Sequence, residues 1–532
     1  MPTLDWIGKK AVLNHHNEVP FRLLKRNNAL SVGDPGSGNL LVQGDNLEAL
    51  KALLPYYAGQ VKCIYIDPPY NTGEQTWVYN DNVNSPEIKK WLGKVVGKEA
   101  DDLSRHDKWL CMMYPRMQLL MQFLRPDGFF LVSINEEEIA RLRLLMEEFI
   151  PSKNYIATLI WKSRRNLDNR SLHNVSVDHE YVVAYRMGDN GFRGMVKDIS
   201  KYNNPDNDPR GLWMSDNLVG LATKERRPNL HYDLENPETG LIYPCAAKGW
   251  RYSKETMAQK IAENRIIWPK NKNGRPRHKK FFADLQSDFA GFSSLVECGN
   301  TNEGTEEVSQ IMGGEQFIFP KPRSLVETLI EQTTADNDLI LDSFAGTGTT
   351  AHAVLSLNAK MGKRRFILVE MDTHICANIT RERLKSVISG YSYKTPQGKT
   401  VSIEALHGDF CYCELGQTLF DAEGQIRNEV SFCDLARHIY FSETGEPIPT
   451  GKNGRTTLLG VYQGRAIYLL YNGILKDKSV GGGNVLTSRV LGELPLHNGA
   501  KVIYGTACRI SAKRLKQENI VFKQTPYEIR IK

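Results

Sequence analysis

Apolar and polar positions along the first 188 residues follow two periods, one of strands and one of helices. Residues 61–67 (VKCIYID) form a short apolar run stopped by Pro68 and Pro69, which predicts a buried strand ending at its carboxyl edge. Residues 107–124 carry apolar side chains at helical spacing and then meet Arg125-Pro126-Asp127-Gly128, read as a turn. Residues 129–134 (FFLVSI) read as another buried strand, 136–150 as an amphipathic helix, and 154–161 and 179–187 as further strands. Strands alternating with helices predict an α/β fold, a sheet with helices on its faces.

From about 190 to 312 the pattern breaks. Asn, Pro, Gly and basic residues rise, periodicity weakens, and Trp213, Trp250 and Trp268 appear, as in a separate inserted domain. A helix returns at 325–335, followed by strand, Gly-rich turn and helix over 338–357, a strand at 364–372 and a helix at 373–388. The sheet is therefore expected to be assembled from both flanks of the insertion. Beyond about 415 lies a third region with a hairpin at 457–474 and a Gly481-Gly482-Gly483-Asn484 turn. The expected divisions are 1–189, 190–312, 313–414 and 415–532, the last a small mixed α/β domain.

Composition narrows the class. A chain of 532 residues exceeds what one hydrophobic core usually serves. Hydrophobic residues at 41% and charged ones at 24% describe an ordinary globular protein, neither disordered nor membrane-embedded. No stretch approaches the ~18 consecutive apolar residues of a membrane span, and the N-terminus lacks the apolar core of a secretory signal. Nine scattered cysteines suit a reducing, cytoplasmic setting. Cys411 and Cys413 have no second pair at ligand spacing, so no metal site is expected. The formal net charge is +7, yet residues 191–280 alone hold 18 Lys or Arg against 10 Asp or Glu. A basic island in an otherwise near-neutral chain points to a polyanion-binding surface or to a solvated charged face.

Two motifs carry chemistry. Asp67-Pro68-Pro69-Tyr70 sits at the carboxyl end of a predicted strand, the edge where open α/β sheets bind ligands. An exocyclic aromatic amine is a weak nucleophile because its lone pair is delocalised into the ring. Two fixed acceptors, the Asp67 carboxylate and the Pro68 carbonyl, would favour its pyramidal, more nucleophilic form, and the prolines hold them in place. Tyr70 would offer a flat face to a base rotated out of a duplex. The second motif is Asp342-Ser343-Phe344-Ala345-Gly346-Thr347-Gly348-Thr349-Thr350. Its glycines admit a ligand to the backbone, and the helix beginning near Thr349 presents N–H groups. No Lys follows at P-loop spacing. Gly346, Gly348 and Ala351 fit G-x-G-x-x-A, and Glu370 lies at the end of the next strand, where an acid accepts ribose hydroxyls. That logic serves NAD and S-adenosylmethionine alike. The D-P-P-Y turn and the basic insertion favour the latter, since a dehydrogenase of small molecules needs neither.

Together these motifs, with Asn71-Thr72-Gly73, Gly44-Asp45-Asn46, Ser176-Val177-Asp178-His179-Glu180-Tyr181 and Phe319-Pro320-Lys321-Pro322, resemble the amino-methyltransferases of DNA. The catalytic motif precedes the cofactor motif with an insertion between, which is similar to the β arrangement of that family and, within it, to the Mod subunits of type III restriction–modification systems. The resemblance implies a Rossmann-like methyltransferase sheet with permuted motif order, interrupted by a target-recognition domain. It implies S-adenosyl-L-methionine as cofactor and the N6 amine of adenine in double-stranded DNA as target. Asp in the first motif position usually accompanies adenine, and Ser cytosine. N4-cytosine transfer and a DNA-binding specificity subunit without activity are the alternatives.

By the same resemblance Asp67, Pro68, Pro69 and Tyr70 are catalytic. Asp45, Pro320, Lys321, Asp342, Phe344, Gly346, Gly348, Thr349 and Glu370 hold the cofactor, with Lys321 and Thr349 toward its methionine end. His179 and Tyr181 lie near the flipped base. In the insertion, Lys270, Lys272, Arg275, Arg277, Lys279 and Lys280 are candidate phosphate contacts. The C-terminal region is implied in homodimerisation or in contact with a restriction (Res) subunit, and no membrane partner is expected.

Overall fold

The computed structural model describes residues 4–34, 36–71, 86–97, 104–167, 174–271, 273–285, 289–314, 319–360, 362–449, 456–471, 479 and 481–525. It divides into two compact units: residues 1–192 with 293–532, and residues 193–292.

The first unit is organised on one ten-stranded sheet. The sheet strands and the main helices between them are, in chain order, β1 (Arg22–Arg26), β2 (Leu40–Gln43), α1 (Asn46–Tyr57), β3 (Val61–Ile66), α2 (Arg105–Phe123), β4 (Leu124–Ile134), α3 (Ile139–Glu147), β5 (Tyr155–Lys162) and β6 (His179–Arg186). After the insertion come β7 (Leu295–Val296), α4 (Thr301–Met312), α5 (Arg323–Thr333), β8 (Leu339–Asp342), α6 (Thr349–Lys360), β9 (Arg365–Glu370), α7 (Arg381–Ser389) and β10 (Cys411–Thr418). The strand order is β1-β10-β2-β9-β8-β3-β4-β6-β5-β7. The six strands from β10 to β4 run parallel. β6 pairs antiparallel with both β4 and β5, and β1 antiparallel with β10.

Burial explains the central strands. A parallel sheet covered on both faces needs continuous apolar runs in place of alternation. All four residues of β8 are buried, as are five of six in β3 and five of six in β9. The chain leaves β3 toward β4 on one side and leaves β8 toward β9 on the other, although β3 and β8 are hydrogen-bonded neighbours (Ile340 opposite Cys63, Leu341 opposite Ile64). The crevice above their carboxyl ends is thus a topological switch point, where the two departing chains diverge and leave room for a ligand.

Several expectations change. The Arg125–Gly128 turn is taken up within β4, with a register irregularity against β3 between Val61 and Cys63. The helix expected over 373–388 begins as a π-helical turn, Ile375–Thr380, before α7. The insertion is shorter than 190–312, because β7 joins the edge of the central sheet beside β5 and α4 follows it in the first unit. Residues 415–532 do not form a separate unit. β10 crosses the expected boundary, and Leu435, Ile439, Ile467, Leu469 and Tyr504 belong to the same buried cluster as Leu50, Ile64 and Val369. The expected hairpin is present as an antiparallel pair, Leu458–Tyr462 with Arg465–Leu469, in a four-stranded sheet completed by Ala500–Gly505 and Ile520–Gln524.

The second unit has its own small core of Leu218, Leu234, Trp250, Met257 and Ile266. It contains a three-stranded antiparallel sheet of residues 266–267, 277–281 and 213–216. Among the described residues no helix is long and apolar enough to cross a membrane. Phe130, fully buried in β4, is a direct probe of the central sheet. Phe130→Ala should destabilise the first unit by about 3–5 kcal/mol, read as a lower urea midpoint for loss of its far-ultraviolet circular dichroism.

Candidate functional site at the switch point

The turn after β3 is fixed by side chains around it. Trp109 of α2, fully buried, donates its indole N–H to the Pro69 carbonyl at 2.7 Å. Asn71 takes the left-handed conformation at φ 63°, and its side chain donates to buried Glu138 and, at 3.2 Å, to the Arg105 carbonyl. His106 Nδ1 lies 2.6 Å from the same Glu138 carboxylate. Burial raises the Glu138 carboxyl above its ordinary range, opposed by Asn71 and His106. Thr72 and Gly73 lie outside the described residues.

Above that turn stands a half-buried charge cluster. Lys321 Nζ is 2.9 Å from Asp67 Oδ2 and 3.3 Å from Glu180 Oε2, and lies 4.6 Å from the centre of the Tyr70 ring. Tyr70 donates its hydroxyl to Glu180 Oε2 at 3.1 Å. Burial, and then the charges of Asp67 and Glu180, raise the Tyr70 phenol well above its ordinary value, so the ring stays neutral. The other Asp67 oxygen, Oδ1, is buried with no hydrogen-bond partner among the described residues. A buried acceptor left unsatisfied at a switch point is suited to an incoming donor.

The turn after β8 is braced by two carboxylates. Asp342 accepts from the Phe344 N–H at 3.0 Å and from the Thr350 hydroxyl at 2.5 Å. Glu370, fully buried at the end of β9, accepts from the Gly346 N–H at 2.8 Å and from the Asp372 N–H at 2.9 Å. Gly346 and Gly348 have φ of 51° and 79°, which L side chains rarely adopt. A Cβ at Gly348 would also lie 2.9 Å from Thr380 Cγ2. At the tip of β2, Asp45 caps α1 by accepting from the Leu47 and Glu48 N–H groups, and the Gly44 N–H reaches the Glu370 carbonyl at 3.0 Å. Thr349 Oγ1 donates to the Lys321 carbonyl at 3.3 Å, so one residue of the Phe319–Pro322 segment touches both turns.

The structure therefore gathers Asp45, Pro320, Lys321, Asp342, Phe344, Gly346, Gly348, Thr349 and Glu370 with Asp67, Pro68, Pro69 and Tyr70 along the carboxyl edge of β2, β9, β8 and β3. His179 and Tyr181 take a different environment. Nε2 of His179 lies 2.8 Å from the Tyr181 hydroxyl, which donates to Glu136 at 2.5 Å. Successive side chains of a strand point to opposite faces, and it is Glu180, between them on β6, that meets Tyr70 and Lys321. The sequence motif contains Glu180 but assigns a site role only to its neighbours His179 and Tyr181, and it does not include Trp109; the alternation of β6 sets Glu180 apart from those neighbours.

In the inserted unit the basic run divides. Lys270, Arg275 and Arg277 are exposed and Lys280 is half-buried, while Lys272 lies outside the described residues. Arg277 is tied to Ser215 through its side-chain and backbone oxygens. Lys279 departs from the expected phosphate role. It is buried and ion-paired with Asp206 and, at 3.4 Å, with Asp208, because the loop before the neighbouring strand 213–216 supplies both carboxylates.

The Asp342 carboxyl is pushed up to about 7 by burial, against the two hydrogen bonds it accepts. With the folded value above the unfolded one, the folded state holds the proton longer as pH rises. Asp342 thus lowers stability progressively from about pH 4 to about pH 7 and by a constant amount above. Asp342→Asn should remove this component, so the stability difference between the variant and the parent chain should rise across that window and level off above it, measured by urea unfolding at a series of pH values.

A model of the family described as DNA methylase matches residues 61–381. The chain is 28% identical over 516 residues to the type III restriction-modification enzyme StyLTI Mod subunit of Salmonella typhimurium, covering 86% of this chain and 75% of that protein. It is 28% identical over 442 residues to the EcoP15I Mod subunit of Escherichia coli, covering 73% of this chain and 67% of the relative. The solved complex of M1.HpyAVI with SAM aligns with 65% of this chain and 98% of its own at 15% identity and a TM-score of 0.30. The matched span runs from the first residue of β3 to the first residue of α7 and takes in both turns of the switch point, and the chain belongs to the DNA methylase family.

Proposed function

We propose that the chain methylates the N6 amine of adenine in duplex DNA with S-adenosyl-L-methionine as donor, as the Mod subunit of a type III restriction–modification system. The observation that carries this reading is Lys321, which joins the D-P-P-Y turn to the glycine turn above neighbouring strand ends.

The residues present suit the donor. Glu370 and Asp45 stand at the tips of β9 and β2, carboxylates of the kind that accept hydrogen bonds from ribose hydroxyls. Ser343 Oγ is buried with no partner among the described residues. Lys321 and the N-terminus of α6 supply positive charge for a carboxylate. When bound, S-adenosylmethionine supplies an electrophilic sulfonium methyl. Asp67 Oδ1 and the Pro68 carbonyl accept from the two amine hydrogens of the target base, which localises the nitrogen lone pair. As the amine nitrogen becomes bonded to carbon it must shed a proton, and Asp67 is the carboxylate placed to receive it. Tyr70, neutral and held by Glu180, offers a ring face to a base turned out of the helix.

Target recognition falls to the inserted unit, whose exposed Lys270 and Arg275 provide phosphate contacts. A Res partner suits a chain whose relatives are each one subunit of a type III restriction-modification enzyme, and homodimerisation completes the reading.

Asp67→Ala should reduce labelled methyl transfer to duplex DNA by about 10²-fold or more while leaving DNA affinity unchanged. Equal loss of both would assign Asp67 to the fold, and N4-methylcytosine in the digested product would replace adenine with cytosine. Lys270→Ala with Arg275→Ala should weaken binding to all sequences alike and flatten the logarithmic salt dependence by about 0.9 per lost phosphate contact. An unchanged slope would remove that surface from the reading.

A further inference from the structure

Beneath the glycine turn, α7 and the π-helical turn before it present Thr380 and Arg383, one helical turn apart and both fully buried. Thr380 donates its hydroxyl to the Gly346 carbonyl at 2.5 Å. Arg383 Nη1 lies 2.7 Å from Thr347 Oγ1 and 2.9 Å from Thr349 Oγ1, so its two hydrogens serve the residues on either side of Gly348. Nη2 lies 2.9 Å from Glu307 Oε2 on α4 and 3.2 Å from His352 Nδ1 on α6.

A guanidinium removed from water is costly unless its donors are paired and its charge is opposed. Glu307 opposes it and is itself held by Arg323 at 2.8 Å. Burial, with the charges of Arg383 and Arg323, keeps His352 neutral well below its ordinary value, which leaves a ring nitrogen able to accept. A planar fork can reach Thr347, Thr349, Glu307 and His352 in fixed directions at once, which a lysine ammonium cannot.

We infer that Arg383 is a positioning residue for the donor site: anchored by Glu307, it sets the Thr347-Gly348-Thr349 backbone and, through Thr349, the Lys321 segment. The path runs Glu307, Arg383, Thr349, Lys321 carbonyl, and the ammonium of that same lysine reaches Asp67. Thr349 Oγ1 thus accepts from Arg383 and lies 3.3 Å from the Lys321 carbonyl, to which it can donate. α4, which carries Glu307, follows β7 in the first unit, so the segment on which the chain re-enters the sheet is tied to the donor turn by the Glu307–Arg383 ion pair. This inference rests on the assignment of the glycine turn to S-adenosylmethionine.

The test is titration calorimetry with S-adenosylmethionine on the full chain, together with donor KM, kcat and melting temperature, for Arg383→Gln, Arg383→Lys, Glu307→Gln and Thr347→Val. Lys385→Ala, on the half-exposed side of α7, is the control. Removing one buried, charge-assisted contact should weaken donor binding and raise donor KM by about tenfold in Arg383→Gln. DNA affinity should be unchanged and kcat retained within about threefold. Arg383→Lys should recover part of the loss. Thr347→Val, nearly isosteric, should shift donor affinity in the same direction with little change in melting temperature, which keeps the inference testable if Arg383→Gln does not fold. Donor affinity unchanged in Thr347→Val and Glu307→Gln would overturn the positioning role, as would equal losses in donor and DNA binding that follow melting temperature. Failure of the unaltered chain to bind the donor would instead overturn the parent reading and this inference with it.

Discussion

The pairing of β3 with β8 is the constraint on which the site depends. These strands lie some 275 residues apart in the chain, yet Leu341 sits opposite Ile64 in a parallel ladder. Parallel pairing places both carboxyl ends at one edge, and the opposite departures toward β4 and β9 open the crevice there. Everything chemically notable follows from that adjacency. The D-P-P-Y turn and the glycine turn become neighbours, and the Phe319–Pro322 segment passes between them.

Charge is managed in two tiers around this crevice. At the upper tier one ammonium, Lys321, stands between the carboxylates of Asp67 and Glu180. At the lower tier one guanidinium, Arg383, stands behind the glycine turn with Glu307 opposing it. Each carries a desolvation cost that only good geometry offsets. Both belong to the arrangement of the binding edge more than to the stability of the sheet, whose apolar strands supply that.

What the sequence disclosed, and what it did not, divides along physical lines. Strands β3, β8 and β9 were legible because strands buried on both faces need unbroken apolar runs, and VKCIYI, LIL and RFILVE are such runs. β1 and β10 were not. RLLKR is half-exposed at an edge, and CYCELGQT mixes buried and partly exposed positions without a period. The end of the insertion was misplaced because β7 is two residues long, with Leu295 largely exposed, and α4 (TNEGTEEVSQIM) reads as polar loop. Lys279 looked like part of a basic surface because its partners, Asp206 and Asp208, precede it by some seventy residues. Glu180 shows the same limit in reverse: strand alternation distinguished it from its neighbours, but only the sheet order brings β6 within reach of Tyr70.

The most direct measurement is an experimental structure of the chain with S-adenosylhomocysteine, the demethylated form of the donor. The ribose is expected beside Glu370, the carboxylate near Lys321 or the start of α6, and the sulfur facing Asp67 across the crevice between β3 and β8. The ligand bound at another edge of the sheet, or its sulfur turned away from Asp67, would contradict that placement.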